Sequence, residues 1–171
     1  GWNFNIFLDP LILHRYDDSA NDSIKRFAKT IDPKDWDLME KPDFLGLNIY
    51  NGFAVNEKGE PVKRAPGAPV TACKWPVTPE VMRYGPQHIF RRYGIPMYIT
   101  ENGLSCNDKV YLDGKVHDPE RIDFLNRYLL ELSKGIEDGA PVGGYLQWSF
   151  LDNFEWGQGY SERFGLIYVD Y

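Results

Sequence analysis

Cysteine is scarce in this chain: Cys73 and Cys106 are the only two in 171 residues. That is too few for a fold built on disulfides, so two thiols in a reducing compartment are expected. The three histidines, His14, His88 and His117, lie far apart, and no Cys/His group has metal-ligand spacing. No metal site is therefore expected. Long hydrophobic runs are also missing, and nothing approaches the ~20 apolar residues of a membrane span. Positive charge is outweighed, with 19 Lys and Arg against 25 Asp and Glu and a formal net charge of −6. This balance argues against nucleic acid or an anionic membrane as a partner. No internal repeat or low-complexity segment occurs. The opening "GWNFNIFLDP" has neither the basic start nor the small-residue cleavage site of a signal peptide, and a cytoplasmic location is expected.

Aromatic residues are abundant, at 15%, and unevenly placed. Tyr145, Trp148, Phe150, Phe154, Trp156, Tyr160, Phe164, Tyr168 and Tyr171 crowd the last part of the chain. Some of these must serve a core. Such density beside carboxylates also suits a sugar site, where apolar faces of a pyranose stack on rings and hydroxyls take hydrogen bonds from polar side chains.

Helical and strand-like segments alternate. "FNIFLDPLIL" starts helical, and Pro10 must kink or end it. Residues 23–40 read as two short helices split at Asp32-Pro33. Residues 43–51, "DFLGLNIYN", read as a buried strand, and 54–72 as a Gly/Pro/Lys-rich loop long enough to suspect function. Thr78-Pro79-Glu80 has the capping hydroxyl, proline and acid that open a helix, and Gly94 closes it. "IPMYIT", 95–100, is the next strand. A second helix follows Asp118-Pro119-Glu120, with Ile122, Leu125, Leu129, Leu132 and Ile136 as its apolar face. Residues 142–152, "VGGYLQWSFLD", form a third strand. Strands joined by helical crossovers are parallel, and their apolar character places the chain in the α/β class. Polar residues gather at the C-terminal strand ends, where parallel α/β folds bind ligands. Glu101 of "YITENG" stands there. Asn102-Gly103 after it reads equally as a hairpin turn, which leaves two readings of Glu101: functional group, or polar residue before a turn.

"PMYITENG" resembles the nucleophile motif of family 1 of the glycoside hydrolases, the β-glucosidase group. "WSFLDNFEWGQGYSERFGLIYVDY", 148–171, is similar to the last-strand signature of that family, and "DFLGLNIYNGF" to its sixth-strand segment. "WPVTPEVM" and the opening "GWNFNIFLDPL" fit as well, in the same order. The resemblance spans essentially the whole chain.

The resemblance implies a (β/α)8 TIM barrel and a retaining, double-displacement β-glycosidase that needs no cofactor. Its substrates would be β-glucosides or oligosaccharides with terminal non-reducing β-D-glucosyl or related residues. By motif, Glu101 is the nucleophile, Tyr50 the tyrosine that hydrogen-bonds and orients it, and Asn48 an asparagine lining the site. Trp148 matches the platform under the −1 sugar, and Glu155 and Trp156 the residues binding its far hydroxyls. Phe164 matches an aromatic beside the exocyclic group, and Trp75 the tryptophan on the aglycone side. Phe164 also reads as core and Trp75 as loop packing, while Asp152 and Asn153 read as structural. The resemblance further implies a cis peptide between Trp148 and Ser149. Members acting on 6-phosphoglycosides carry Ser, Lys and Tyr where this chain has Glu155, Glu162 and Phe164. Two acids would repel a phosphate, so an unphosphorylated sugar is expected.

A TIM barrel takes ~250 residues, and this chain has 171. By resemblance its strands are the sixth, seventh and eighth. The Asn-Glu-Pro motif that carries the acid/base glutamate in the family does not occur in 1–171. Residues 1–171 are therefore expected to be the C-terminal part of one barrel domain, with no second domain. The partner would be the remaining N-terminal part, and the isolated chain should be inactive. The alternative is a non-catalytic sugar-binding or assembly fragment.

Overall fold

A computed structural model describes residues 4–16 and 21–171, so Gly1, Trp2 and Asn3 of the opening motif lie outside the described residues. Two parallel pairings build a three-stranded sheet in the order β1 (Leu45–Asn48), β2 (Met97–Asn102), β3 (Val142–Gln147). Each connection carries a helix, α4 (Val81–Tyr93) between β1 and β2 and α5 (Pro119–Glu137) between β2 and β3. Among the described residues three shorter α-helices precede β1: α1 (Asn5–Leu8), α2 (Asp22–Ala28) and α3 (Pro33–Trp36). Among the described residues no helix is long and apolar enough to cross a membrane.

Pro10 acts as its chemistry requires. It has no N–H to continue an α-helical ladder, and the chain widens from α1 into a π-helical turn over Asp9–Leu13. Asp9 is buried there and accepts from Arg92 at 2.9 and 2.6 Å and from the Tyr93 hydroxyl at 2.7 Å. The N-terminal segment is thereby pinned to the end of α4. The split at Asp32-Pro33 is also observed. The Asp32 carboxylate accepts from Lys34 N at 2.9 Å, and Pro33 sits at the first helical position.

The core fills the space between the sheet and α4 and α5. Met97, Ile99 and Leu45 face the helices and meet Ile89, Tyr93, Met82, Phe124 and Tyr128. The other sheet face carries Phe44, Tyr98 and Leu146, which are 55, 39 and 53% exposed. Among the described residues, only one side of the sheet is therefore covered.

Three expectations need correction. The buried face of α5 is only partly the one read from its aliphatic spacing, since Leu132 is buried and Leu125 packs against the core. Arg121, Phe124, Tyr128, Leu132 and Gly135 are buried, whereas Ile122, Leu129 and Ile136 are 60, 41 and 45% exposed. The helix has two apolar stripes, and the aromatic one faces inward because the Phe124 and Tyr128 rings stack and the Tyr128 hydroxyl accepts from Thr78 N at 2.9 Å. Gly135 permits the close approach of α5 to α4, where a Cβ would lie 3.0 Å from the Arg83 carbonyl oxygen.

The expected cap of α4 serves another contact. The Thr78 hydroxyl accepts from Gly52 N at 2.8 Å rather than capping α4, which starts after Glu80. The Asp118 carboxylate engages Arg121 instead of the N–H groups of α5.

The third strand is shorter than 142–152. After Gln147 the chain leaves the sheet at Trp148–Ser149, which is a cis peptide as the resemblance implies. Ser149 N then donates to Phe164 O at 3.0 Å, and Leu166 N to Ser149 O at 2.8 Å, so residues 149–151 pair with a later segment. The loop at 54–72 opens with a small hairpin bridged at Val55 and Pro61, with the Asn56 carboxamide accepting from Lys58 N and Glu60 N.

Candidate active site

Glu101 is the fifth residue of β2, and both ladders slip beside it. β1 pairs Leu47 with Ile99 and then Asn48 with Glu101. β3 pairs Tyr145 with Ile99 and then Gln147 with Asn102. β2 thus carries an extra residue at Thr100–Glu101. Such a bulge re-aims a side chain at a strand end, and the half-buried carboxylate of Glu101 meets the Tyr50 hydroxyl, which donates to Oε2 at 2.8 Å.

Burial pushes the Tyr50 phenol well above its ordinary 10.0, and the hydrogen bond to Glu101 and the charges of Glu101 and Glu155 push it further. The phenol consequently keeps its proton and acts as a donor. A donor on a carboxylate stabilises the ionised form and fixes its orientation.

The residues around Glu101 are held by side chains that sequence reading passed over. Asn102, 0% exposed, donates to Ile49 O at 2.8 Å and accepts from the Tyr145 hydroxyl at 2.8 Å. It is not the first residue of a hairpin turn but the last of β2, clamped to β1 and β3. Thr100 donates to Asn48 Oδ1 at 2.7 Å, which ties the Asn48 amide beside Glu101 by its oxygen end. Gly103 is required by close approach, since a Cβ there would lie 1.9 Å from the Trp148 carbonyl oxygen. The only sequence sign of these roles was position at a strand end.

Three expected residues form an aromatic wall. Tyr50 meets Trp75 edge-on at 5.2 Å and Phe164 at 6.2 Å, and Trp75 lies 5.9 Å from Phe164. Phe164 is 2% exposed, so it backs Tyr50 and Trp75 and offers almost no surface of its own to a ligand. Trp148 is half-buried at the turn after β3, with its main-chain N–H bonded to Asn102 O at 2.9 Å. Glu155 is half-buried and near enough to Tyr50 for its charge to be felt there. Trp156 stands apart at 83% exposure.

The loop bearing these groups is stapled by Asp152, which accepts from Arg163 at 2.5 Å, Gly165 N at 2.9 Å and Val169 N at 3.2 Å. Its oxygens are thus committed to the loop, in line with a structural role. Glu162 buries an oxygen without a protein partner. Nearby, burial pushes the Cys73 thiol up to about 11, with the Glu162 carboxylate raising it and the Ser105 hydroxyl opposing.

One group of donor atoms has the compactness of a metal site: those of Cys106, Asp108 and Asp118, all within 4.8 Å of one another. They do not fit a metal ion. Arg121 donates to both carboxylates, so the set is already closed around a guanidinium. Burial also pushes the Cys106 thiol up to about 12, which keeps it protonated.

The arrangement is an oriented carboxylate at the C-terminal end of a parallel sheet, beside an aromatic wall and a second acid. It can attack an electrophilic carbon or stabilise a cation next to a stacked ring. The sequence pattern of glycosyl hydrolase family 1 matches residues 1–171. Beta-glucosidase A of Thermotoga maritima is 38% identical over 99% of this chain and 39% of its own length. A bifunctional beta-D-glucosidase/beta-D-fucosidase of Bifidobacterium breve is 39% identical over 97% of this chain and 42% of its own length. Among solved structures, the family 1 β-glucosidase of T. maritima superposes with a TM-score of 0.82 at 38% identity, over 99% of this chain and 39% of that one. Its complex with deoxynojirimycin gives a TM-score of 0.80 at 38% identity, with the same coverage. The chain thus spans about two-fifths of the length of the relatives it matches.

Proposed function

Because the chain belongs to glycosyl hydrolase family 1, we propose that it is the C-terminal part of a (β/α)8 barrel that hydrolyses terminal β-D-glucosyl or related residues with retention. In this reading β1, β2 and β3 are the sixth, seventh and eighth barrel strands. Relatives named beta-glucosidase and beta-D-glucosidase/beta-D-fucosidase support the substrate class. The exposed apolar face of Phe44, Tyr98 and Leu146 supports the partial barrel, because such a face calls for a cover.

Glu101 attacks the anomeric carbon, a glycosyl ester forms as the leaving oxygen departs, and water then hydrolyses the ester. A retaining mechanism needs a second carboxyl group ~5–5.5 Å from the first, which protonates the leaving oxygen and later deprotonates the water. That acid/base glutamate comes from the remaining N-terminal part of the barrel. Tyr50 keeps Glu101 aimed until attack. Trp148 carries the −1 ring and Asn48 hydrogen-bonds it, while Glu155 and Trp156 hold its far hydroxyls. Trp75 lines the aglycone side, with Phe164 behind it. Glu155 and Glu162 disfavour a phosphorylated sugar by like charge.

The observation that carries this reading is the 2.8 Å hydrogen bond from Tyr50 to Glu101 at the strand ends. The test is chemical rescue in the complete barrel containing residues 1–171. Glu101→Gly should abolish turnover of an aryl β-glucoside, and azide should restore part of it while giving a glycosyl azide of inverted configuration. A variant that keeps more than about a tenth of the rate would refute the role, since loss of covalent catalysis costs far more than the ~1.4 kcal/mol that a factor of ten represents.

A further inference from the structure

The side chain of Arg121, in the first turn of α5, is 2% exposed, yet no step of the proposed chemistry uses it. It donates to Asp118 just before α5, to Asp108 at 2.7 Å in the segment that follows β2, and to the main-chain oxygen of Arg163 at 3.2 Å. The same Arg163 oxygen accepts from Cys106 N at 2.9 Å. A buried guanidinium therefore joins the segment leading out of Glu101 to the segment that carries Phe164. Phe164 in turn backs Tyr50 and Trp75.

Resting on the reading above, we propose that Arg121 is a positioning residue for the sugar site, acting through the Arg163 carbonyl to hold Phe164 against the Tyr50–Trp75 wall. The chemistry requires arginine. Three acceptors in different directions are met by a planar fork with five donors, whereas lysine presents a compact point charge that cannot span them in fixed geometry. The Tyr50–Glu101 hydrogen bond does not pass through this link. Loss of Arg121 should therefore loosen the Trp75 side of the wall, where the aglycone lies, and leave the Tyr50–Glu101 hydrogen bond in place.

The experiment uses the complete barrel containing residues 1–171, with binding of a non-hydrolysed aryl 1-thio-β-glucoside, which reaches both the sugar and the aglycone side, measured by calorimetry well below the melting temperature. Arg121→Lys should weaken binding about tenfold, and raise KM for an aryl β-glucoside by a similar factor with kcat within about threefold of the parent, the scale of one charge-assisted hydrogen bond. A second variant, Asp108→Asn with Asp118→Asn and Arg121→Met, removes the buried charges together and so avoids leaving unpaired carboxylates. It lacks the donor to the Arg163 carbonyl and should show the same loss. Binding within twofold of the parent in either folded variant would overturn the proposal. Failure of both to fold would also overturn it, in favour of a purely structural role. Glu101→Gln serves as the separate control. If it retains turnover, the nucleophile assignment falls. If it loses turnover while the Arg121 variants bind normally, only the positioning role falls.

Discussion

At the scale of single residues, the site depends on one proton. The Tyr50 phenol is raised by burial and by Glu101, so the folded protein holds that proton more tightly than the unfolded chain does. The linked stability is full below the unfolded value of about 10 and is lost as pH rises above it, because the unfolded chain then releases a proton that the folded one keeps. Tyr93 and Tyr145 are raised in the same direction by burial. The melting temperature of the complete barrel should accordingly fall as pH passes about 10, and Tyr50→Phe should make that fall shallower, as a pH series of thermal melts can show. Tyr50→Phe should also lower kcat/KM by about 10- to 100-fold at neutral pH, the worth of one hydrogen bond to a charged group. An unchanged rate would mean that the carboxylate is oriented by something else. Gly103 is a second point of dependence. With the Trp148 carbonyl oxygen 1.9 Å from the position of a Cβ, Gly103→Ala cannot be absorbed by rotating a side chain. It should cost at least the ~1–3 kcal/mol of an overpacked site, seen as a lowered melting temperature together with lost activity.

At the scale of elements, close approach of α4 and α5 is decided at Gly135. Alanine there would gain ~1 kcal/mol of helix propensity, but its Cβ would meet Arg83 backbone at 3.0 and 3.1 Å. Backbone cannot yield as a flexible side chain does, so a net loss of ~1–3 kcal/mol is expected, and a melting temperature several degrees lower. A rise would show that the two helices can part. The elements also show what was legible beforehand. The order of strands and helices followed from apolar runs and from Gly94, which takes the left-handed φ of 61° expected of a closing residue. The strand-end position of Glu101 followed as well. Other features were hidden because their residue types have commoner uses. Thr78 looks like a cap, but its oxygen serves Gly52 instead. Asn102 looks like a turn residue and is a fully buried clamp. Arg121 looks solvent-exposed at the start of a helix, and only two acids from either side of it in space explain its burial. A contact between residues distant in sequence leaves no local period to read. The choice between two apolar stripes on α5 was lost for the same reason.

At the scale of the whole molecule, a sheet covered on one face defines the problem. Phe44, Tyr98 and Leu146 are exposed on the other face, and β1 and β3 are edge strands with unpaired backbone groups. Such surfaces pair with other chains or aggregate. The purified 171-residue chain should therefore appear as oligomers by light scattering, and a stable monomer would show that the open face needs no cover. It should also lack measurable activity, because in the proposed mechanism the general acid comes from the rest of the barrel, and that catalysis contributes about 10²–10⁴-fold. Both expectations meet in one measurement. The 171-residue chain, parent or Glu101→Gln, is refolded with a fragment carrying the first five strands of a family 1 barrel, and aryl β-glucoside hydrolysis is followed. The account predicts no activity from either piece alone, activity from the parent mixture, and none from the Glu101→Gln mixture. An active Glu101→Gln mixture, or an active 171-residue chain by itself, would contradict it.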